Sequence, residues 1–375
     1  MLINANSKKI LLVVTGSVAA IKTIDLIKNL KGYGMTVTAL LTESAKRYNL
    51  VNENEVCEVS ENPVLTIFDF SGENSKSWSV LNDSDAVLVS PSSANFMKRM
   101  VVSDILGTAI VQSDKLRIIS PAMNVRMWRH PAVQRNVRSL LKTSWHFLGP
   151  VEGKMACGEY GLGRMMRVDD IGKGVNNLIQ GNTHKPELEL YKKALIPNPS
   201  LITGVKVSAT KNRKVLLIVH GAKDAENTVS LVERLKSKGC NVTCVLSKEA
   251  RQFISMDKLT ELSGNVVYTE HYQEDEQGME HITLSREADL VLIAPAAKNN
   301  VKEMAEGGAS DLVGDLYLAT DKPVFVLPSR DPEQIPLQKH LELIKSDGAK
   351  VLNIDYNDGQ YAENLALQIN SAFTK

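Results

Sequence analysis

Three short motifs in the first half of the chain carry side chains that could take part in chemistry. The sequence PAMNVRMW (residues 121–128) places Asn124 among two methionines and a tryptophan, which suits a flat apolar ligand beside one oriented polar group. The sequence PSSAN (residues 91–95) offers two hydroxyls and an amide. The sequence TGSVAA (residues 15–20) offers a turn that could present N–H groups and a hydroxyl to a phosphate at a helix N-terminus.

Each of these motifs also has a plain structural interpretation. Methionine and tryptophan are most often core residues, and serine and asparagine are ordinary helix caps. A single glycine between a strand and a helix is explained about as well by a tight turn as by a phosphate site. Spacing alone leaves these alternatives open.

A fourth motif, EGKMACGEYGLGRM (residues 152–165), holds four glycines around Cys157. So many glycines give too much backbone freedom for a core element, so we predict a mobile flap with a thiol that meets the ligand. The other cysteines, Cys57, Cys240 and Cys244, lie near apolar or strand patterns and are predicted to be structural. Their spacing indicates neither a disulfide framework nor a metal site.

Composition narrows the class of ligand. The chain of 375 residues has 44 Lys+Arg and 43 Asp+Glu, so its net charge of +1 argues against nucleic acid or an anionic membrane as a partner. No apolar run approaches the roughly 20 residues that span a bilayer, and residues 1–10 lack the apolar core of a signal peptide. We therefore expect a soluble cytoplasmic protein that binds a small molecule.

The elements that must position the motifs occur twice. Gly16, after the apolar run of residues 9–15, aligns with Gly221 at an offset of 205. The sequence DAVLVSP (residues 85–91) aligns with DLVLIAP (residues 289–295) at an offset of 204, and the offset is 207 between Pro121 and Pro328. The steady offset predicts two homologous domains, the first of which lacks three residues near 100–104.

Apolar strands alternate with helical patterns in each copy, which predicts an α/β fold with a doubly wound parallel sheet, flavodoxin-like or Rossmann-like. The predicted domains are residues 1–180 and 213–375, joined by a proline-containing linker over residues 181–212. Ligands of such sheets bind at the carboxyl ends of the strands, where the motifs fall.

The second copy departs from the first at the phosphate-binding turn. The sequence GAKDAE (residues 221–226) places Asp224 and Glu226 where a phosphate would bind, so like-charge repulsion predicts that this site is lost.

The two copies also differ in their candidate catalytic residues. Asp331 replaces Asn124, and Cys157 has no counterpart in the second copy. Conversely, the second copy has His281 eight residues before its strand aspartate, where the first copy has Ser77. A lone histidine is more often a surface or capping residue than a catalyst.

Four motifs together resemble the flavin-containing cysteine decarboxylase family: GSVAAIK (residues 16–22), SSAN (92–95), PAMNVRMW (121–128) and ACGEYGLGRM (156–165). The resemblance spans residues 9–170 and, more weakly, residue 214 to the C-terminus. It implies FMN as the cofactor, one per chain, in the first copy. The positions that match the family's FMN-binding residues are Gly16, Ser17, Val18, Thr42, Ser93, Ala94, Asn95 and Ala122.

The resemblance also implies a reaction, the decarboxylation of 4'-phosphopantothenoylcysteine to 4'-phosphopantetheine in coenzyme A biosynthesis. The substrate thiol is oxidised to a thioaldehyde, CO2 is lost, and the enethiol is reduced, so the cycle is redox-neutral. Asn124 would bind the substrate carboxylate, Cys157 would donate a proton in the final reduction, and His281 would act as a base or polar contact. The implied substrate-binding residues are Met127, Ala156 and Gly158.

In this family the histidine of one subunit meets the asparagine and cysteine of its neighbour in a trimer. The losses in the two copies are complementary, which raises His281 to a catalytic candidate and implies a homo-oligomer with sites between first and second domains. The number of chains, and whether a site lies within one chain or between chains, stay open. Two alternatives remain: a peptidyl-cysteine decarboxylase, and a non-catalytic flavin-binding regulatory protein, although residues 362–375 lack the acidic extension typical of the latter.

Overall fold

The computed structural model describes residues 7–47, 49–66, 76–102, 104–182, 213–269 and 279–373. The chain divides into two compact units, each built on one parallel sheet. Most of the predicted linker, residues 183–212, lies outside the described residues, so the domain bounds stay a prediction. No helix in the described part of the chain is long and apolar enough to cross a membrane.

The first unit has a five-stranded sheet in the order β2-β1-β3-β4-β5, with every neighbouring pair parallel. An antiparallel hairpin, β6-β7, follows β5. The strands are β1 Lys9–Val14, β2 Thr36–Leu41, β3 Ala86–Ser92, β4 Leu116–Pro121, β5 Trp145–Phe147, β6 Val151–Lys154 and β7 Tyr160–Arg164. The α-helices are Thr23–Gly32, Glu43–Arg47, Glu53–Ser60, Lys76–Asp83, Ala94–Val102, Ile105–Gln112, Val125–Arg129, Pro131–Lys142 and Val168–Ile179.

The second unit has a six-stranded parallel sheet in the order β10-β9-β8-β11-β12-β13. Its strands are β8 Arg213–Val219, β9 Cys240–Leu246, β10 Tyr268–Thr269, β11 Leu290–Ala296, β12 Val324–Pro328 and β13 Lys350–Val351. The α-helices are Thr228–Ser237, Met256–Ser263, Glu280–Glu287, Lys298–Glu306, Leu312–Ala319, Gln338–Ser346 and Tyr361–Ala372.

Both sheets are covered by helices on both faces, which explains why their central strands are continuous apolar runs. Every residue of β3 is buried, and so is every residue of β11. In the first unit, helix Thr23–Gly32 buries Leu26, Ile27 and Leu30 on one face. The predicted α/β class and doubly wound parallel sheets are confirmed.

The internal repeat is visible in matching hydrogen bonds. The carboxylate of Asp85 accepts from the N–H of Lys9 at 2.8 Å, and that of Asp289 accepts from Lys214 at 2.9 Å. Partial burial would raise the pKa of Asp85, but the Lys9 hydrogen bond and the Lys8 ammonium hold it below its ordinary value. Each aspartate therefore ties the start of one central strand to the start of the next.

Helix bounds locate the three residues that the first copy lacks. Helices Ala94–Val102 and Lys298–Glu306 correspond at an offset of 204, whereas Ile105–Gln112 and Leu312–Ala319 correspond at 207. The length difference thus falls in the connection between these two helices, as predicted.

The cysteines divide differently from the prediction. Cys240 and Cys244 are buried on β9, and burial raises the pKa of Cys244 to about 12. Cys57 is exposed on helix Glu53–Ser60, so the prediction that it is structural is wrong. The preceding residue, Val56, lies on the buried face of that helix.

Candidate active site

The strand order reverses at β1, since the chain passes from β1 to β2 on one side and to β3 on the other. A crevice at the carboxyl ends of the strands forms at such a point. Two hydroxyls tie the motif loops together there. The Thr15 hydroxyl donates to Pro91 O at 2.8 Å and accepts from Ser93 N at 2.9 Å. The Ser17 hydroxyl donates to Ala122 O at 3.1 Å.

Gly16 is required by packing. Its N–H donates to Ser44 Oγ at 3.2 Å, and a Cβ on Gly16 would lie 2.5 Å from Ser44 Cβ. Thr42 is buried and its hydroxyl donates to Val14 O at 3.1 Å, which holds the loop after β2 in this place. The sequence did not single out Ser44, because only the approach of helix Glu43–Arg47 to the turn after β1 makes it a neighbour of Gly16.

The segment after β3, formed by Ser93 and the start of helix Ala94–Val102, combines a cap with a half-buried amide. Ser93 Oγ accepts from Phe96 N at 3.3 Å, so the capping interpretation is correct for Ser93. Ala94 is buried, and the Asn95 side chain is half-buried beside it. Val18 begins a short 3₁₀ helix, Val18–Lys22, whose N-cap is Ser17. The predicted FMN-binding residues thus lie in the loops and first helical turns that follow β1, β2, β3 and β4, at one edge of the sheet.

In the second copy, the Asp224 side chain occupies the position that corresponds to the predicted phosphate site. Asp224 Oδ2 accepts from Ser329 Oγ and Arg330 N, both at 2.7 Å, and from Asp331 N at 3.2 Å. Glu226, in contrast, is exposed. An internal carboxylate therefore takes the donors of this loop, which fits the predicted loss of a phosphate site.

A buried histidine stands in the second copy where the first has Thr15. His220 Nδ1 accepts from Ala297 N at 3.2 Å, as the Thr15 hydroxyl accepts from Ser93 N. His220 is fully buried, and this burial lowers its pKa to about 3. The imidazole is therefore neutral at physiological pH.

The glycine-rich motif forms the β6-β7 hairpin, and β7 lies on the loop after β4. Met123 N donates to Gly163 O at 3.0 Å. A Cβ on Gly161 would lie 2.7 Å from Val125 Cγ2, and one on Gly163 would lie 2.6 Å from Met123 O. The glycines allow this close approach of two segments. In the second copy, the described residues between β13 and helix Tyr361–Ala372 form no hairpin.

Docking of the hairpin brings Cys157 to Asn124. The Asn124 Nδ2 donates to Cys157 Sγ at 3.4 Å, although 33 residues separate them. Asn124 is buried, and its Oδ1 accepts from Arg126 N at 2.7 Å, which directs the amide hydrogens toward the hairpin. Cys157 is half-buried.

Two charged residues complete the cluster. Glu159 Oε2 accepts from Asn124 Nδ2 at 2.5 Å, and its Oε1 lies 3.0 Å from Arg126 Nη2. The Cys157 thiol donates to Glu159 Oε2 at 3.9 Å. Sequence reasoning missed Arg126 and Glu159, although each stands two residues after a predicted site residue and their charges are opposite.

The predicted substrate-binding residues are spread around this cluster. Ala156 and Gly158 are exposed at the turn of the hairpin, and Gly158 has a φ of +85°. Met127 is 7% exposed, and Trp128 is fully buried, so the core interpretation is correct for the tryptophan. The roles of Met127, Ala156 and Gly158 stay predictions.

His281 lies in the second unit. It is the second residue of helix Glu280–Glu287 and is half-buried, as Ser77 is the second residue of Lys76–Asp83. The two positions therefore correspond as the sequence alignment predicts. A catalytic role for His281 stays a prediction.

Comparison with known proteins supplies the family. The flavoprotein family model matches residues 3–180 and again residues 205–368. A segment is 35% identical over 164 residues to the coenzyme A biosynthesis bifunctional protein CoaBC of Vibrio vulnificus strain YJ016, covering 42% of this chain and 40% of that protein. The chain thus matches less than half the length of that relative.

Two solved structures are similar to parts of this chain at lower identity. A PPC decarboxylase mutant complexed with pantothenoylaminoethenethiol is 24% identical, covers 47% of this chain and 100% of its own, and has a TM-score of 0.41. The FMN binding protein AtHal3 is 23% identical, with coverages of 48% and 100% and a TM-score of 0.41.

The two family matches correspond to the two parallel-sheet units, which confirms the flavin-containing family and the tandem duplication inferred from the motifs. The chain belongs to the flavoprotein family and contains its domain twice.

Proposed function

We propose that the chain is an FMN-dependent phosphopantothenoylcysteine decarboxylase that forms 4'-phosphopantetheine in coenzyme A biosynthesis. The observation that carries this proposal is the 3.4 Å separation of Asn124 Nδ2 and Cys157 Sγ. An amide that can bind a carboxylate and a thiol that can donate a proton thus meet at the ligand-binding edge of the sheet. The similarity to the coenzyme A biosynthesis bifunctional protein CoaBC supports a role in coenzyme A biosynthesis.

The first copy fits FMN, as its family membership suggests. Small residues and hydroxyls lie in the segments that follow the strands, and the Asn95 side chain is half-buried at the start of the helix after β3. The second copy does not fit, because the Asp224 carboxylate takes the donors of its loop after β12. We therefore assign one FMN per chain to the first copy. Bound FMN would oxidise the substrate thiol and return the two electrons at the end of the cycle.

Asn124 would bind the substrate carboxylate. Its Oδ1 is occupied by the Arg126 N–H, so the side chain can offer only its two amide hydrogens to a ligand. Donation from Nδ2 would orient the bond that breaks when CO2 leaves and the oxidised carbon–sulfur group accepts the electron pair. Asn124→Asp removes these donors and adds a negative charge, so we expect decarboxylation to be lost while FMN is retained.

Cys157 would supply a proton to the substrate in the final reduction. Its sulfur lies 3.4 Å from the amide nitrogen that would bind the carboxylate, so it would also lie close to the carbon to be protonated. His281 of the second domain would act as a base or polar contact in the oxidative decarboxylation. The second domain would supply this residue because the first has Ser77 at the matching position. General acid–base help of this kind contributes about 10²–10⁴-fold, so His281→Asn should nearly abolish turnover without loss of FMN.

The test is direct turnover by the purified flavin-loaded chain. CO2 release and formation of 4'-phosphopantetheine, followed by mass spectrometry, support the proposal. Turnover of a peptide with a C-terminal cysteine but not of phosphopantothenoylcysteine indicates the peptidyl-cysteine alternative. Bound FMN with turnover of neither compound favours the non-catalytic regulatory alternative.

A further inference from the structure

The carboxylate of Glu159 accepts a hydrogen bond from the Asn124 amide, the same group that would bind the substrate carboxylate in the proposed function. Its two oxygens face different donors, the Asn124 amide at 2.5 Å and the Arg126 guanidinium at 3.0 Å. The side chains of Arg126 and Glu159 are only 19% and 17% exposed. An amide and a guanidinium that converge on the two oxygens of one carboxylate form a carboxylate-binding site.

A substrate carboxylate cannot share this site with Glu159. The two hydrogens on Asn124 Nδ2 are directed to Glu159 and to Cys157, so an incoming carboxylate must replace one of these acceptors. Two carboxylates in a half-buried cluster repel each other, which makes Glu159 the group that leaves.

Glu159 follows a hairpin turn that borders open space. The turn is closed by bonds from Met155 N to Glu159 O at 2.8 Å and from Gly158 N to Met155 O at 3.0 Å. A Cβ built on Gly158 would have no atom within 4 Å, so space is open beside the turn. The Glu159 side chain is itself 17% exposed, and β7 is held on the loop after β4 by the backbone bond from Met123 N to Gly163 O. Displacement of the Glu159 side chain therefore need not break that contact.

We propose that Glu159 is an internal carboxylate that occupies the substrate-carboxylate site until substrate binds, and that Arg126 then pairs with the substrate carboxylate. The inference rests on the proposed function for the identity of that substrate. Arg126 is thus a specificity-determining residue for an acid over its decarboxylated product. After CO2 leaves, Glu159 returns to the donors and favours release of the product.

A pair of alkylating probes tests this without any substrate. In both iodoacetate and iodoacetamide, the Cys157 thiolate forms a carbon–sulfur bond and iodide leaves, but only iodoacetate carries a carboxylate. The ratio of the two rates, measured by peptide mass spectrometry on the FMN-loaded chain, removes any effect of the thiol's own reactivity. Exposed Cys57 supplies an internal reference in every sample.

We expect Glu159→Gln to raise the iodoacetate-to-iodoacetamide ratio at Cys157 about tenfold, because one repelling charge a few ångströms away is removed. The ratio at Cys57 should not change. Glu152→Gln, an exposed glutamate on the same hairpin, is the matched control and should leave both ratios at their wild-type values. An unchanged ratio at Cys157 in Glu159→Gln would overturn the proposal.

A second variant separates a bound carboxylate from a mere loss of nearby charge. Asn124→Ala in the Glu159→Gln background removes a neutral donor, so the gain should disappear if iodoacetate binds at Asn124. A gain that persists in the double variant also overturns the proposal. If this variant does not fold, Asn124→Ser is used in place of Asn124→Ala, because the serine hydroxyl keeps an acceptor for the Arg126 N–H. A chain that shows the expected ratios but releases no CO2 contradicts the proposed function and not the carboxylate site.

Discussion

Gly163→Ala is the substitution with the sharpest expected effect on the site. Gly163 lies where β7 passes over the loop after β4, with a φ of +149°, and its carbonyl accepts from Met123 N at 3.0 Å. A Cβ there would lie 2.6 Å from Met123 O and 3.3 Å from the carbonyl carbon of Asn124. Both neighbours are backbone atoms, so the hairpin must move away.

The size of the movement follows from these distances. Ordinary contact begins at 3.4 Å, so the hairpin must retreat by close to 0.8 Å. Overpacking of this kind costs about 1–3 kcal/mol, and the backbone conformation adds about 1 kcal/mol for a residue other than glycine. Since a misplacement of about 1 Å can cost about 100-fold in rate, we expect kcat/KM for decarboxylation to fall about 10- to 100-fold.

The assay compares kcat/KM, FMN content and the rate of Cys157 alkylation by iodoacetamide. FMN content should stay at the wild-type level, because the hairpin is not among the predicted FMN-binding loops. Gly153→Ala on β6 is the control: its Cβ would meet the flexible Arg164 side chain at 2.9 Å, which can move aside. Wild-type kcat/KM together with wild-type alkylation of Cys157 in Gly163→Ala would refute the inference that this contact positions the cysteine.

Three further predictions concern the second unit and the assembly. Burial lowers the pKa of His220 from 6.5 to about 3 in the folded chain. Between pH 6.5 and pH 3 the unfolded chain therefore binds a proton at His220 that the folded chain does not, and the free energy of unfolding decreases as the pH falls below 6.5. At pH 5 the free energy of unfolding should be lower by about 2 kcal/mol. His220→Thr introduces the residue that the first copy has at this position, and it should reduce the pH dependence of the urea midpoint. An unchanged pH dependence contradicts this prediction. Asp224→Ala should destabilise the unit by about 2 kcal/mol in urea because three donors lose a charged acceptor, whereas exposed Glu226→Ala should change stability little; equal effects contradict the assigned contacts. Mixing inactive His281→Asn and Asn124→Asp chains should restore activity if the site is shared between chains, and no rescue indicates sharing within one chain or no catalysis.

Much of the fold follows from local pattern. The apolar run of residues 9–15 and its repeat at 214–219 predict buried parallel strands, because a strand covered on both faces has no polar side. The three-residue difference near residues 100–104 was detectable because prolines flank it at matching places in both copies. The glycine-rich composition of residues 152–165 predicted a flap and not a core element, and these residues form the β6-β7 hairpin. The mobility of this hairpin stays a prediction.

The sequence by itself thus determined the fold class, the duplication, and Asn124 and Cys157 as candidates, because periodicity and motifs are local properties. Tertiary structure alone decided their surroundings. Packing of the hairpin on the loop after β4 places Glu159 between Asn124 and Arg126, and no local pattern shows whether a charged side chain faces solvent or a site. Local pattern is insufficient for Cys57 and Asp224 for the same reason. Cys57 is exposed because it lies on the outer face of its helix. The Asp224 carboxylate is bound because the segment after β8 packs against the loop after β12.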